Sequence, residues 1–226
     1  MTFTPATGSP STSDSTDTAT IPPGHPSERA SGPLMKYRTV DLMVTVMIGI
    51  AFGVAFLGYS TLYSLITPLT TLFPPASGLL AGLWFLPALL AGLIVRRPGA
   101  ALLAELIAAA VEMLLGGQWG LSTLASGLIQ GLGVELGFAI FLYRRFRPEV
   151  AICAAIGAAV LEWIYESSGY YLEWSFGWKL LLLGFFLVST VFLCGLLGHL
   201  IVRALAKVGA LASFPAGRAH AEKNLV

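Results

Sequence analysis

The chain has 226 residues, of which 56% are hydrophobic and 11% charged, with a mean hydropathy of +0.79 and a formal net charge of +1. A soluble domain carries about a quarter charged residues and could not bury so much apolar surface in one core. The charge balance also lacks the basic patch of a nucleic-acid binder, so the composition points to an all-α membrane protein.

Residues 1–34 are rich in Ser, Thr and Pro and contain no apolar run. They lack the basic start and apolar core of a signal peptide and are expected to form a disordered tail. Residues 35–207 hold six apolar stretches, each near the roughly 20 residues needed to cross the hydrocarbon core. These are Asp41–Tyr59, Ser77–Val95, Gly99–Leu115, Gly120–Tyr143, Glu149–Ser168 and Lys179–Ala204. Their length and lack of period-two alternation argue against barrel strands. Residues 208–226 read as a second, flexible tail. Cys153 and Cys194 lie in apolar runs and read as small buried hydrophobes rather than a disulfide framework.

Basic residues orient the six spans. Lys36 and Arg38 precede the first, and Arg96 and Arg97 separate the second from the third. Arg144, Arg145 and Arg147 separate the fourth from the fifth, and Arg203 and Lys207 follow the sixth. The other connections hold almost no Lys or Arg. By the positive-inside rule the basic connections and both termini are expected in the cytoplasm. The first outer connection, Ser60–Ala76, is expected to fold over the outer surface. The second is the tight Gly116–Gly120, and the third, Gly169–Trp178, is crowded with aromatics.

Carboxylates inside a membrane are costly and usually face a cavity or a partner. The spans contain Glu105, Glu112, Glu135, Glu162 and Glu166, yet no Lys or Arg occurs between Gly99 and Tyr143. They are protonated, or paired with basic residues near helix ends, or matched by a cationic ligand. Helical rise puts Glu112, Glu162 and Glu166 at the outer depth, level with Trp119 and the third outer loop. Glu105 lies seven residues before Glu112 on the same face and deeper. Glu135 lies near the inner side, within reach of Arg144 and Arg145. Trp84 enters the outer layer from the second span. The expected ligand site is therefore Glu112, Glu162, Glu166, Trp84, Gln118, Trp119, Tyr171 and Trp174. Carboxylates and aromatic faces in one layer suit a flat, cationic, partly apolar molecule.

Ala51 and Ala55 form a small-residue pair in the first span, interleaved with Gly49 and Gly53. Such pairs let helix backbones approach closely, so one face is expected to meet a partner subunit. The sequence contains no Walker A motif and no H-E-x-x-H. No Ser/His/Asp or Cys/His set shares one depth. Neither a cofactor nor an enzymatic activity is expected.

Two segments carry a resemblance. Gly82-Leu83-Trp84-Phe85 with Arg96-Arg97-Pro98-Gly99-Ala100-Ala101-Leu102-Leu103-Ala104-Glu105 resembles the YkoE family. So does Gly120-Leu121-Ser122 through Gln130-Gly131-Leu132-Gly133-Val134-Glu135-Leu136. The likeness covers about Tyr37 to Ala204. This family comprises substrate-binding S components of energy-coupling factor (ECF) vitamin transporters. The resemblance implies a six-helix S-component bundle in a prokaryotic plasma membrane, with cytoplasmic ends. It implies a transmembrane coupling subunit and cytoplasmic ATPase subunits as partners, with docking through small residues of the first helix, here Ala51 and Ala55. It implies capture of thiamine or its hydroxymethylpyrimidine precursor on the outer side for ATP-driven uptake. The residues alone also fit a different class, an autonomous ion-coupled permease for an organic cation or amine.

Overall fold

A computed structural model describes residues 33–223, which are helical throughout, with no strand among them. The expected N-terminal tail lies outside the described residues apart from Pro33 and Leu34. Helix α1 runs Thr39–Thr70. A 3₁₀ segment, Pro74–Leu83, leads into α2, Leu86–Val95. Then follow α3 (Ala100–Leu114), α4 (Ser122–Ile140), α5 (Pro148–Gly169) and α6 (Phe176–Ser189). A π-helical stretch, Thr190–Leu196, joins α6 to α7 (Leu197–Lys207), and α8 spans Pro215–Lys223.

Five stretches are long and apolar enough to cross a membrane: Thr39–Thr70, Pro74–Val95, Ser122–Ile140, Pro148–Gly169 and Phe176–Lys207. The sixth expected span is α3, whose 15 residues rise only about 22 Å, short of a hydrocarbon core of about 30 Å. It is packed between α1 and α4 and buries Ala100, Ala101, Ala104, Ala108 and Ala109 with Glu105 and Glu112. Gly49 and Gly53 let α1 lie against it. A Cβ would stand 2.7 Å from Ile107 Cβ at the first and 2.6 Å from Val111 Cβ at the second. Gly133 and Gly137 of α4 likewise touch the backbone of Ala158 and Ala154 in α5.

Helix α1 is longer than its apolar run. It absorbs most of the connection that the sequence leaves to fold over the outer surface. The hydroxyls of Thr61, Ser64 and Thr67 each bond the carbonyl four residues back, which lets polar residues continue the helix. Pro68 sits in the last turn before the end at Thr70.

The basic connections gather at one end of the bundle. Asp41, fully buried, accepts from Arg38 Nη2 at 2.6 Å and Arg97 Nε at 3.0 Å. Arg97 Nη1 also donates to the carbonyls of Pro33 and Leu34. The Arg96 guanidinium stands 4.7 Å from the centre of the Phe146 ring.

Two expectations change here. The described part of the C-terminal segment, expected as a flexible tail, reverses at Gly209 (φ +81°) and folds back as α8. Leu211, Phe214, Ala216 and Ala219 are buried there, in a stretch that Gly209, Pro215 and Gly217 interrupt, so no helical period announces them in the sequence. Cys153 is exposed on α5, whereas Cys194 is buried as expected.

Glu135 is a helix cap. Its carboxylate accepts from the backbone N–H of Gly99 (2.6 Å), Ala101 (3.1 Å) and Leu102 (3.2 Å), filling the N-terminus of α3, and from the Tyr143 hydroxyl. Proximity to Arg144 and Arg145 is not what holds it.

Three outcomes follow from this packing. Gly133→Leu must push Ala158 aside and should cost about 1–3 kcal/mol, read as a lower melting temperature in detergent. Gly184→Ala, which meets nothing within 4 Å, should leave that temperature unchanged or higher. Glu135→Ala strips three amides of their acceptor and should also cost about 1–3 kcal/mol by the same measurement. A melting temperature equal to the parent's would overturn the capping role.

Candidate binding site

At the end of the bundle away from the basic residues lies a cavity of about 350 Å³. Helices α1, α3, α4 and α5, the 3₁₀ segment and the α5–α6 connection supply most of its wall. Its position depends on how the chain breaks helix at Trp84 and Phe85. The Pro74-Pro75 pair starts the 3₁₀ segment, and small residues let that segment press against α6. At Gly78 a Cβ would meet Phe186 Cδ1 at 2.7 Å. Ser189 Oγ accepts from Gly82 N (2.9 Å) and donates to the Leu79 carbonyl (2.6 Å). Helix α2 then starts inside the bundle with Pro87 in its first turn.

Four carboxyl groups line the cavity: Glu105, Glu112, Glu162 and Glu166. Glu105 Oε2 accepts from Ala88 N at 3.0 Å, capping the first turn of α2. Ser60 Oγ donates to Glu112 Oε1 at 2.5 Å. Ser126 Oγ donates to Glu162 Oε1, and Gln130 Nε2 donates to Ser126 Oγ at 2.6 Å. Two buried oxygens here have no partner in the structure, Glu162 Oε2 and Thr123 Oγ1. No Lys, Arg or His appears among the described lining residues.

Aromatic rings supply the rest of the wall. Trp84 and Trp119 meet nearly edge to face, with centroids 5.3 Å apart at 83°. Tyr63 packs on both, at 5.5 and 5.6 Å. Tyr165, Tyr170 and Tyr171 close the cavity from α5 and the loop after it. Burial, and then the nearby Glu166 carboxyl, raise the Tyr171 phenol above its ordinary pKa, so it stays a hydrogen-bond donor.

Glu112, Glu162, Glu166, Trp84, Trp119 and Tyr171 thus meet in one cavity. Gln118 and Trp174 are not among its lining. Gln118 meets α1, with its Oε1 2.8 Å from Ser64 Oγ, whose proton it shares with the Ser60 carbonyl, and its Nε2 donating to the Ser60 carbonyl at 3.3 Å. It lies in a separate outer groove with Thr67 and Thr71. Trp174 stacks behind Tyr171, with centroids 4.2 Å apart, and supports it rather than facing the cavity. Glu105 reaches the cavity despite its depth. Sequence reasoning passed over Thr123, Ser126 and Gln130, although their spacing of three and four residues marks one polar face on an otherwise apolar helix.

Residues 40–161 match the family described as "ABC-type cobalt transport system, permease component". The chain is 32% identical over 194 residues to "Putative HMP/thiamine permease protein YkoE" of Bacillus subtilis (strain 168). That alignment covers 84% of this chain and 96% of the relative. A solved structure described as "Crystal structure of an S-component of ECF transporter" superposes with a TM-score of 0.79 at 30% identity, covering 84% of this chain and 95% of that one. The chain therefore belongs to the family of YkoE and the ABC-type cobalt permease components, with the fold of an ECF S component in a cell membrane.

Proposed function

We propose that this S component captures thiamine or its hydroxymethylpyrimidine precursor in the 350 Å³ cavity and hands it to an ATP-driven importer. The observation that carries this reading is the wall itself: four carboxyl groups, two indoles and several phenols with no basic side chain among the described lining residues. Among the described residues no three His, Cys, Asp or Glu side chains gather closely enough to hold a metal ion. The wall is instead suited to a flat organic cation whose ring stacks on aromatic faces and whose amino hydrogens meet carboxylates. Glu162 Oε2 and Thr123 Oγ1 are the acceptors an aminopyrimidine would satisfy. The relative's description names thiamine and its pyrimidine precursor, which fit that chemistry.

In this reading the cavity opens to the outside, and the end holding Arg38, Arg97 and Arg203 faces the cytoplasm. Ala51 and Ala55 dock the transmembrane coupling subunit that carries the ATPase subunits. What supports this is their exposure on α1, turned away from Gly49 and Gly53, which face α3. We read the polar wall as a binding surface. Among its lining residues no serine or cysteine faces a histidine base.

Calorimetric titration of the purified protein with thiamine tests the cavity. Glu162→Gln and Glu166→Gln each remove a carboxyl group that would pair with the ligand's charge, a bond worth about 1.5–3 kcal/mol, so affinity should fall by about one to two decades. Thiamine diphosphate should bind at least about tenfold more weakly than thiamine, because its phosphates would meet carboxyl groups and no cation. Parent-like affinity in both variants would overturn the cavity as the thiamine site.

Docking has its own test. Ala55→Trp should abolish uptake in cells that also contain coupling and ATPase subunits, while thiamine binding by the isolated protein is retained. Loss of binding in parallel would place Ala55 in internal packing.

A further inference from the structure

A second cavity, of about 840 Å³, lies between α7 and the folded-back α8, at the end of the bundle opposite the carboxyl site. Arg203 and Lys207 reach it from α7, one turn apart, and Arg218 and His220 from α8. No Asp or Glu appears among the described residues of its lining. Positive-inside bias alone asks only for basic residues somewhere in a connection. Here cations from two helices, separated by a chain reversal, converge on one concavity. Arg218 is held in place there by a bond from its Nη1 to the Ser213 carbonyl, 3.1 Å long. Directly before Arg203 on α7, Leu197 and Leu200 lie on the outer surface of the span Phe176–Lys207, the side that meets lipid tails. Leu200, Arg203 and Lys207 follow at helical spacing on one face, so an apolar strip runs straight into the cationic pocket.

We propose that this pocket binds the phosphate headgroup of an anionic phospholipid, with the acyl chains lying along Leu197 and Leu200. The cations neutralise the phosphate, and the pocket is large enough for the glycerol that carries it. The pocket sits at the end of the span Phe176–Lys207, so acyl chains already lie beside Leu197 and Leu200 and a headgroup can enter it without leaving the bilayer, which favours a lipid over a free anion. Bound lipid would fix α8 against α7 and so tie the C-terminal segment to the membrane surface.

Native mass spectrometry of the full-length protein from detergent micelles tests this, with phosphatidylglycerol and phosphatidylcholine of identical acyl chains as probes. Phosphatidylglycerol should be retained at least about tenfold more tightly. A basic residue near such a headgroup is worth about fivefold in affinity, so Arg203→Gln, Lys207→Gln and Arg218→Gln should each weaken it by about that factor. The triple variant should bind the two lipids alike. Lys207→Arg should bind like the parent, and a parent-like melting temperature for each single variant separates lost binding from lost folding. Inorganic phosphate and glycerol phosphate should fail to displace phosphatidylglycerol at matched concentration. Equal retention of the two lipids by the parent, or an undiminished preference in the triple variant, would overturn the site. Displacement by inorganic phosphate would make it a soluble-anion site and overturn the lipid.

Discussion

A helix that begins inside a bundle must find partners for its first amides, because no lipid tail can supply them. That constraint governs this molecule at Trp84 and Phe85, where the 3₁₀ segment gives way to α2. Pro87 removes one donor outright. The Ala88 amide goes to Glu105, the Gly82 amide to Ser189, and the Phe85 carbonyl accepts from the Cys194 thiol at 3.4 Å. Every one of these partners comes from another helix. The break is therefore stable only when α3 and the last helix are already in place, and the buried α2 then becomes the post around which the other helices stand.

The same break creates the cavity. A continuous α-helix through Pro74–Val95 would carry its side chains on past the position where Trp84 now turns inward. Instead Trp84 faces Trp119 and Tyr63, and Glu105, anchored by one oxygen to α2, joins Glu112, Glu162 and Glu166 around the same space. The carboxyl groups differ in how far the protein satisfies them. Glu112 is held by Ser60, Glu105 by an amide, and Glu162 on one oxygen only. Wherever the protein leaves a buried acceptor unsatisfied, a ligand's donor has the most to gain.

Much of this was legible in the sequence, for definite reasons. Glu112, Glu162 and Glu166 were readable because depth and face both follow from helical rise and period once the spans are set. Trp84 and Trp119 stood out as large rings at the same level. Gln118 and Trp174 misled because both sit in connections, where no period says which way a side chain turns. One points to α1, and the other stacks behind Tyr171. Glu105 was left out of the expected site because nothing in its own helix reveals that α2 breaks beside it and brings the cavity down to its level. The extension of α1 to Thr70 and the docking of α8 were hidden for different reasons. The first overrides polar local composition through hydroxyl-to-carbonyl bonds, and the second rests on burial of Leu211 and Phe214 in a stretch broken by Gly209, Pro215 and Gly217. Glu135 looked like the other intramembrane carboxylates. Only the neighbouring helix start at Gly99 makes it a cap.

The tryptophans give the molecule an optical signature. Four of its five indoles form two close pairs, Trp84 with Trp119 at 5.3 Å and Trp174 with Trp178 at 6.0 Å. Transition dipoles at such separations couple, and each pair is expected to contribute its own couplet to far-ultraviolet circular dichroism, where the strong indole transition lies. The first pair forms part of the cavity wall; of the second, Trp174 lies on the loop behind Tyr171 and Trp178 in the first turn of α6. A molecule wedged among the rings would perturb the first couplet directly and reach the second only through Tyr171, against which Trp174 stacks. The fold thus carries a reporter of cavity occupancy without any label.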